Sequence, residues 1–159
     1  MIGTIRIQLF RLPVFPTFWY NPNMHGRHKY DIIILLAVAA FGIATYLTTS
    51  HYLGFSVPCS ITHGCEEVLS SKYSMLLGLP LAVWGMAYFF AVIAASLLAN
   101  HYPLWKKLLT WLLACGALSA LVFLSLQFFV IKKVCEYCLT TDLLSILLFI
   151  WDLNIEHHA

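Results

Sequence analysis

The 159-residue sequence predicts an all-α protein: a four-helix transmembrane bundle whose functional end is capped by an extracytoplasmic loop with room for a short helix. Three observations lead there. Hydrophobic residues make up 61% of the chain and charged residues only 10%, with a mean hydropathy of +0.83. A soluble domain carries about a quarter charged residues. This much apolar surface cannot be hidden in a small core and must face lipid. Four apolar stretches approach the roughly 20 residues that a spanning helix needs. Two of the three links between them are short, which makes their helices antiparallel neighbours.

Taken in order, residues 1–29 form a cytoplasmic or interfacial N-terminal segment. Its "IRIQLFRL" run with Phe15, Phe18, Trp19 and Tyr20 suits an anchor along the membrane surface or a plain tail. Ala37-Val38-Ala39 resembles a signal-peptide cleavage site, but the apolar run continues past it, so the segment reads as a retained span. The membrane domain covers 30–153, with spans at about 32–53, 75–99, 108–131 and 135–153, and a tail at 154–159. Pro103 marks the second link because it cannot donate to a continuing helix. The third link is only "KKV".

Basic residues near the spans set the orientation. Arg6, Arg11, Arg27, Lys29, Lys106 and Lys107 fall on the side of the N-terminus, and Lys72, Lys132 and Lys133 on the other. Both chain ends are therefore expected in the cytoplasm, as in a bacterial inner-membrane protein, with the long first loop and third link outside. A net charge of +2, with no basic run interleaved with aromatics, argues against nucleic acid as a partner. No G-x-G-x-x-G or P-loop pattern is present for nicotinamide or ATP.

Cysteine placement carries the chemistry. Cys59 and Cys65 lie in the first loop, and Cys135 and Cys138 open the fourth span as C-x-x-C. The chain crosses the membrane twice between the pairs, so both lie on one face whichever side is out. Cys115 falls mid-span beside Ala114 and Gly116 and reads as an inert core cysteine. Three uses of the four thiols are open on the residues alone. One is a zinc site, Cys₄ or with His63, although C-x₅-C is wider than the usual spacing. Another is a pair of structural disulfides. The third is electron transfer, favoured by the first turn of a helix, where partial positive charge and free N–H groups stabilise thiolates. A c-type haem would need histidine after Cys138, where Leu139 stands.

"CSITHGCEEVLSSKYSMLLGLPLAVWGMAY" (59–88) followed by "CEYC" (135–138) resembles the vitamin K epoxide reductase family. The likeness rests on the loop cysteine pair, Ser71 six residues after Cys65, Gly78 and Pro80 as G-x-P, Gly85, and C-x-x-C at the fourth helix. It spans roughly residues 30–153. DsbB-type quinone reductases carry the C-x-x-C in the first loop instead. The resemblance implies Cys135 and Cys138 as the active pair, with Cys138 facing a quinone. Cys59 and Cys65 become a shuttle pair, Cys65 exchanging with Cys135 and Cys59 with an outside partner. Ser71 corresponds to a family hydroxyl near the active cysteines. Ser74 falls where animal members place a quinone-bonding asparagine, with a shorter reach. Asp142 stands where they place a tyrosine.

Asp142 lies one turn beyond Cys138 on the same helical face, and an acid inside a membrane helix suggests function. It could donate a proton to a quinone, or be a carboxylate near the helix start that snorkels to water or bonds to Thr141 or the backbone. Glu66 and Glu67 read as a solvated loop face, and His25, His28, His157 and His158 as solvated ends. Trp84, Tyr88, Phe89 and Phe128 could line a quinone pocket, although aromatics in membrane helices more often serve as packing or lipid contact.

The resemblance implies a thiol–quinone oxidoreductase that passes electrons from a separate DsbA-like, thioredoxin-fold thiol oxidase to ubiquinone or menaquinone, supporting disulfide formation. No thioredoxin-like domain follows residue 159, hence the expectation of a separate partner. The alternatives are reduction of vitamin K epoxide or quinone driven by partner thiols, and a non-catalytic metal-binding membrane scaffold.

Overall fold

The computed structural model describes residues 24–59 and 64–157, with the side chains of 24–29 and 155–157 left aside. The expected N-terminal segment up to residue 23, His63 and His158 lie outside the described residues, as do the side chains of His25, His28 and His157. Four long helices form an all-α bundle: α1 (Met24–Leu53), α3 (Leu81–Ala99), α4 (Pro103–Ser125) and α5 (Glu136–His157). A short helix α2 (Cys65–Leu69), one 3₁₀ turn (Lys72–Ser74) and two-residue strands β1 (Met75–Leu76) and β2 (Leu79–Pro80) occupy the first loop.

Helix α1 packs against α3 and α5, and α4 packs against the same two, which closes the ring. Small residues permit the close approach. Ala37, Ala40 and Ala44 of α1 are buried with Val92, Ala95 and Ala99 of α3, at alternating three- and four-residue spacings. A Cβ on Gly85 would sit 3.8 Å from Ala44 Cβ, an ordinary van der Waals contact, so α1 and α3 lie side by side there. Among the described residues, three helical stretches are long and apolar enough to cross a membrane: Tyr30–Leu53, Leu81–Ala99 and Pro103–Ile131. Their outward faces carry Leu35, Phe90, Trp111 and Leu118, each more than half exposed as lipid-facing residues should be. The 22-residue α5 differs, because its buried stripe includes Asp142, Ser145 and Asp152 alongside Leu148.

Several helix bounds depart from the sequence expectation. Helix α1 begins at Met24 rather than near residue 32, because hydropathy marks the lipid-embedded part and the helix continues through polar residues. Helix α4 begins at Pro103, where proline at the first helical position gives up no hydrogen bond. Helix α5 runs on to His157, so residues 154–157 are helical rather than tail. The second long helix starts at Leu81, not near residue 75. Leu77 (φ 54°) and Gly78 (φ 81°) form a tight turn there, pairing Met75 with Pro80 and Leu76 with Leu79. Positive φ at both central residues is the hairpin-turn geometry that glycine supports.

Turns at the loop end are equally specific. Gly54 (φ 69°) terminates α1, and the Phe55 N–H returns to the Ser50 carbonyl at 3.1 Å, the six-to-one bond of a Schellman cap. After Ser125 the third long helix widens into a π turn, Leu126–Ile131, which Lys132 ends in the left-handed region (φ 55°). Five residues later α5 is under way, so the two cysteine-bearing segments meet at one end of the bundle.

Candidate active site

The loop is fastened to the start of α5 by its backbone. A Cβ at Gly64 would lie 2.8 Å from the Val134 carbonyl oxygen and 3.1 Å from its nitrogen. Only a residue without a side chain allows that approach, and its neighbour on each strand is a cysteine, Cys65 and Cys135. Both are almost fully buried, at 1% and 0% exposure, in one apolar cluster with Leu47, Val57 and Val68. Two peripheral contacts hold the same junction. The Tyr137 hydroxyl donates to the Pro58 carbonyl at 3.3 Å, and its ring lies 5.6 Å from that of Tyr46. Lys133 pairs with Glu67 at 3.5 Å, both side chains about half exposed; Glu66 is exposed as well, so the acidic loop face is solvated.

Cys59 and Cys65 form a disulfide with a Cα separation of 6.0 Å, whereas Cys135 and Cys138 are thiols. Within the C-x-x-C, the Cys138 backbone N–H donates to Cys135 Sγ at 3.4 Å. This is a helix N-terminal N–H with no carbonyl to bind, and a negatively charged sulfur is its natural acceptor. The two sulfurs face different surroundings. Cys135 is packed against the loop pair, and Cys138 borders a cavity.

That cavity, of about 470 Å³, lies between the loop and the four long helices, α1, α3, α4 and α5. Its size is that of a small-molecule site. Leu47, Leu81, Phe123 and Leu126 make the wall largely apolar, and Leu76 and Trp84 stand exposed at its edge. The Trp84 indole N–H donates to the Leu76 carbonyl at 3.2 Å, tying the hairpin to α3. The cavity collects several residues singled out from the sequence: Ser71, Ser74, Trp84, Tyr88, Phe89, Cys138 and Asp142. Ser71 and Ser74 donate their hydroxyl hydrogens to the carbonyls of Val68 and Ser71, each at 2.8 Å. They offer a ligand lone pairs rather than protons.

Phe128 points outward, 53% exposed, as a lipid contact rather than a cavity wall, because the π turn rotates it away. Two sequence readings need correction. Cys115 is exposed and borders the cavity rather than sitting in the core, since the facing side of α4 is Gly116. Asp142 is held neither by Thr141 nor by backbone: the Thr141 hydroxyl bonds the carbonyls of Tyr137 and Cys138, and the Asp142 partner is Gln127.

Gln127 escaped the sequence reading altogether. Its Oε1 accepts the Cys135 backbone N–H at 3.0 Å, and its Nε2 donates to Asp142 Oδ2 at 3.4 Å. A lone glutamine in "LSLQFFVIKK" carries no motif, although an amide in an otherwise apolar run was a signal that could have been weighed. The Tyr88 hydroxyl is buried without a hydrogen-bond partner, in space that exists because residue 116 is glycine; a Cβ there would collide with the ring and hydroxyl.

A bundle of apolar helices with a disulfide and a dithiol at one end, beside an apolar cavity, defines a membrane thiol–disulfide oxidoreductase. The chain belongs to the vitamin K epoxide reductase family, whose family model matches residues 31–153. Its kind of activity is accordingly that of a membrane oxidoreductase working between thiol–disulfide pairs and quinones.

Proposed function

We propose that this protein takes electrons from an extracytoplasmic thiol oxidase of thioredoxin fold and delivers them to a lipid-borne ubiquinone or menaquinone. The observation that carries the reading is the split environment of the C-x-x-C, with Cys135 packed against the loop disulfide and Cys138 bordering the apolar cavity. A partner dithiol reduces the Cys59–Cys65 disulfide and leaves as a disulfide. The Cys65 thiolate then attacks Cys135 of an oxidised C-x-x-C, releasing Cys138, and Cys59 resolves the mixed bond. The loop is again a disulfide, and Cys135 and Cys138 are thiols.

Quinone reduction completes the cycle. Cys135 and Cys138 lose two electrons and two protons as their S–S bond forms, and the quinone becomes a quinol. Asp142 passes one proton across and ends as it began. The cavity suits such a substrate, since a quinone is apolar with two acceptor oxygens, and the Asp142 carboxyl and the unpartnered Tyr88 hydroxyl are donors at its wall. Ser71 and Ser74 close the loop side. The chain ends lie in the cytoplasm and the cysteines outside, on the charge distribution given above.

A metal scaffold is less well supported, because two of the four sulfurs are bonded to each other rather than free as thiolates. The test is direct. Purified protein, a reduced thioredoxin-fold donor and a short-chain ubiquinone should give quinol and oxidised donor in equal amounts. A protein that leaves the quinone oxidised, or holds zinc at one equivalent through its cysteines, does not have this function.

A further inference from the structure

Gln127 is, among the described residues, the one buried amide side chain, and the π turn is what buries it. Phe128, Phe129 and Val130 of the same turn are each more than half exposed. The turn closes the C-terminal end of α4, at the end of the bundle where the cysteines lie. The orientation of the amide follows from its partners. The Cys135 N–H can only donate, so the oxygen faces it, which leaves Nε2 for the carboxylate. Gln127 thus joins the residue that carries the loop-facing sulfur to the acid at the cavity wall.

We propose that Gln127 is a positioning residue that holds the Asp142 carboxyl and the Cys135 backbone in one frame, so that proton passage at the cavity is geared to the thiol pair. This rests on the proposed thiol–quinone reaction. In that reaction the dithiol gives up two electrons and two protons, and the carboxyl at position 142 receives one proton and releases it to the quinone. Gln127 exchanges no proton itself. Its N–H faces Oδ2, leaving the other carboxyl oxygen for the cavity, and its oxygen stops Cys135 from drifting as the sulfurs change bonding. Without the amide, the carboxyl is free to turn from Cys138, and the first N–H of the C-x-x-C is left buried without an acceptor. Of the titratable groups nearby, Cys135 and Cys138 at the start of α5 interact with Asp142, and Cys115 on α4, Tyr88 on α3, Tyr73 from the loop and His51 on α1 line the same cavity. Among the described contacts, Gln127 is the side chain that joins Asp142 to the Cys135 backbone.

The experiment compares the full-length wild type, Gln127→Met, Asp142→Asn and the double variant in detergent, from about pH 5 to about pH 9. Single-turnover oxidation of the Cys135–Cys138 dithiol by a short-chain ubiquinone should slow about tenfold in Q127M, with its pH midpoint displaced. Exchange of Cys59–Cys65 with dithiothreitol should stay within about twofold. D142N should abolish the midpoint, and adding Q127M to it should cost less than about twofold more. An unaltered rate and midpoint in Q127M, or losses that multiply in the double variant, overturns the proposal. Should Q127M not assemble, Gln127→Asn replaces it with the same outcomes, because it keeps an amide too short to span both partners. If the wild type reduces no quinone, the proposed function itself fails. Gln127 is then judged on the Cys135–Cys138 equilibrium with dithiothreitol: a pH midpoint that moves in Q127M and vanishes in D142N upholds it, and one that stays overturns it.

Discussion

Each end of the bundle buries a carboxylate on α5, and the two are held in different ways. At the end remote from the loop cysteines, Asp152 is 4% exposed and accepts a 2.6 Å hydrogen bond from the Thr110 hydroxyl of α4. Leu109, Leu113 and Leu148, all fully buried, close that region. At the cysteine end, Asp142 is 8% exposed, its described bond to Gln127 is long at 3.4 Å, and the cavity lies beside it. Burying a carboxylate costs several kcal/mol, offset only by good partners. Asp152 meets that requirement with a short bond between packed helices. Asp142 meets it less completely and has space at its side that a substrate can fill. An acid in a membrane helix is therefore not a functional mark by itself; the cavity and the neighbouring sulfur distinguish the two.

The largest effect should come from the sulfur at the cavity. Cys138→Ser should reduce quinone turnover by more than about 10³-fold, because no Cys135–Cys138 bond can form to release two electrons to the quinone. The same variant should accumulate a Cys65–Cys135 disulfide, visible by mass spectrometry of non-reduced peptides. A Cys59–Cys135 bond instead would reverse the order of the relay. Next is Asp142→Asn, expected to slow quinone reduction about 10²-fold while loop exchange and thermal stability are kept. If D142N lowered stability and left turnover intact, Asp142 would be a second Asp152 and the contrast between the ends would collapse.

How much of this was legible beforehand varies with the kind of signal. Hydropathy and composition gave the bundle, because lipid exposure imposes long apolar runs. Counting crossings put the two cysteine pairs on one face, and the C-x-x-C spacing put both sulfurs in one helical turn. The hairpin at Met75–Pro80 was hidden, because "MLLGLP" reads as the continuation of an apolar helix until Gly78 takes a positive φ. Gln127 was hidden for another reason. Its inward direction depends on a π turn, and no 3.6-residue periodicity predicts which side chain such a turn sends inward. Asp142 was visible from the sequence and its partner was not, so only half of that pair was legible.

Gly64 tests the joint that makes the cysteine end different. In Gly64→Ala the added Cβ would meet the Val134 carbonyl oxygen at 2.8 Å, backbone against backbone, with no flexible side chain to yield. The loop must lift, and Cys65 with it. Electron passage from loop to C-x-x-C should slow at least about tenfold, since a displacement of order 1 Å can cost an oriented reaction up to about 10²-fold. Quinone reduction by a pre-reduced Cys135–Cys138 pair should be unaffected. Stopped-flow measurement of the two half-reactions separates them, and equal slowing of both would mean that the junction and the cavity form one unit.

Thr110→Val is the smallest perturbation and the control on which the contrast between the ends depends. Valine preserves the shape of threonine and removes only the hydroxyl that Asp152 accepts at 2.6 Å. A hydrogen bond to a charged group contributes about 1.5–3 kcal/mol, and Thr110 is only partly buried, so the lower figure applies. The thermal midpoint in detergent should fall by a few degrees, about 2–4 °C per kcal/mol for a chain of this size. Turnover per folded molecule should stay within about twofold. The same bond length that makes Asp152 a good structural partner ties it to α4 and leaves it no role at a cavity. A T110V protein that kept its stability and lost turnover like D142N would show that protons reach the cavity from that end too.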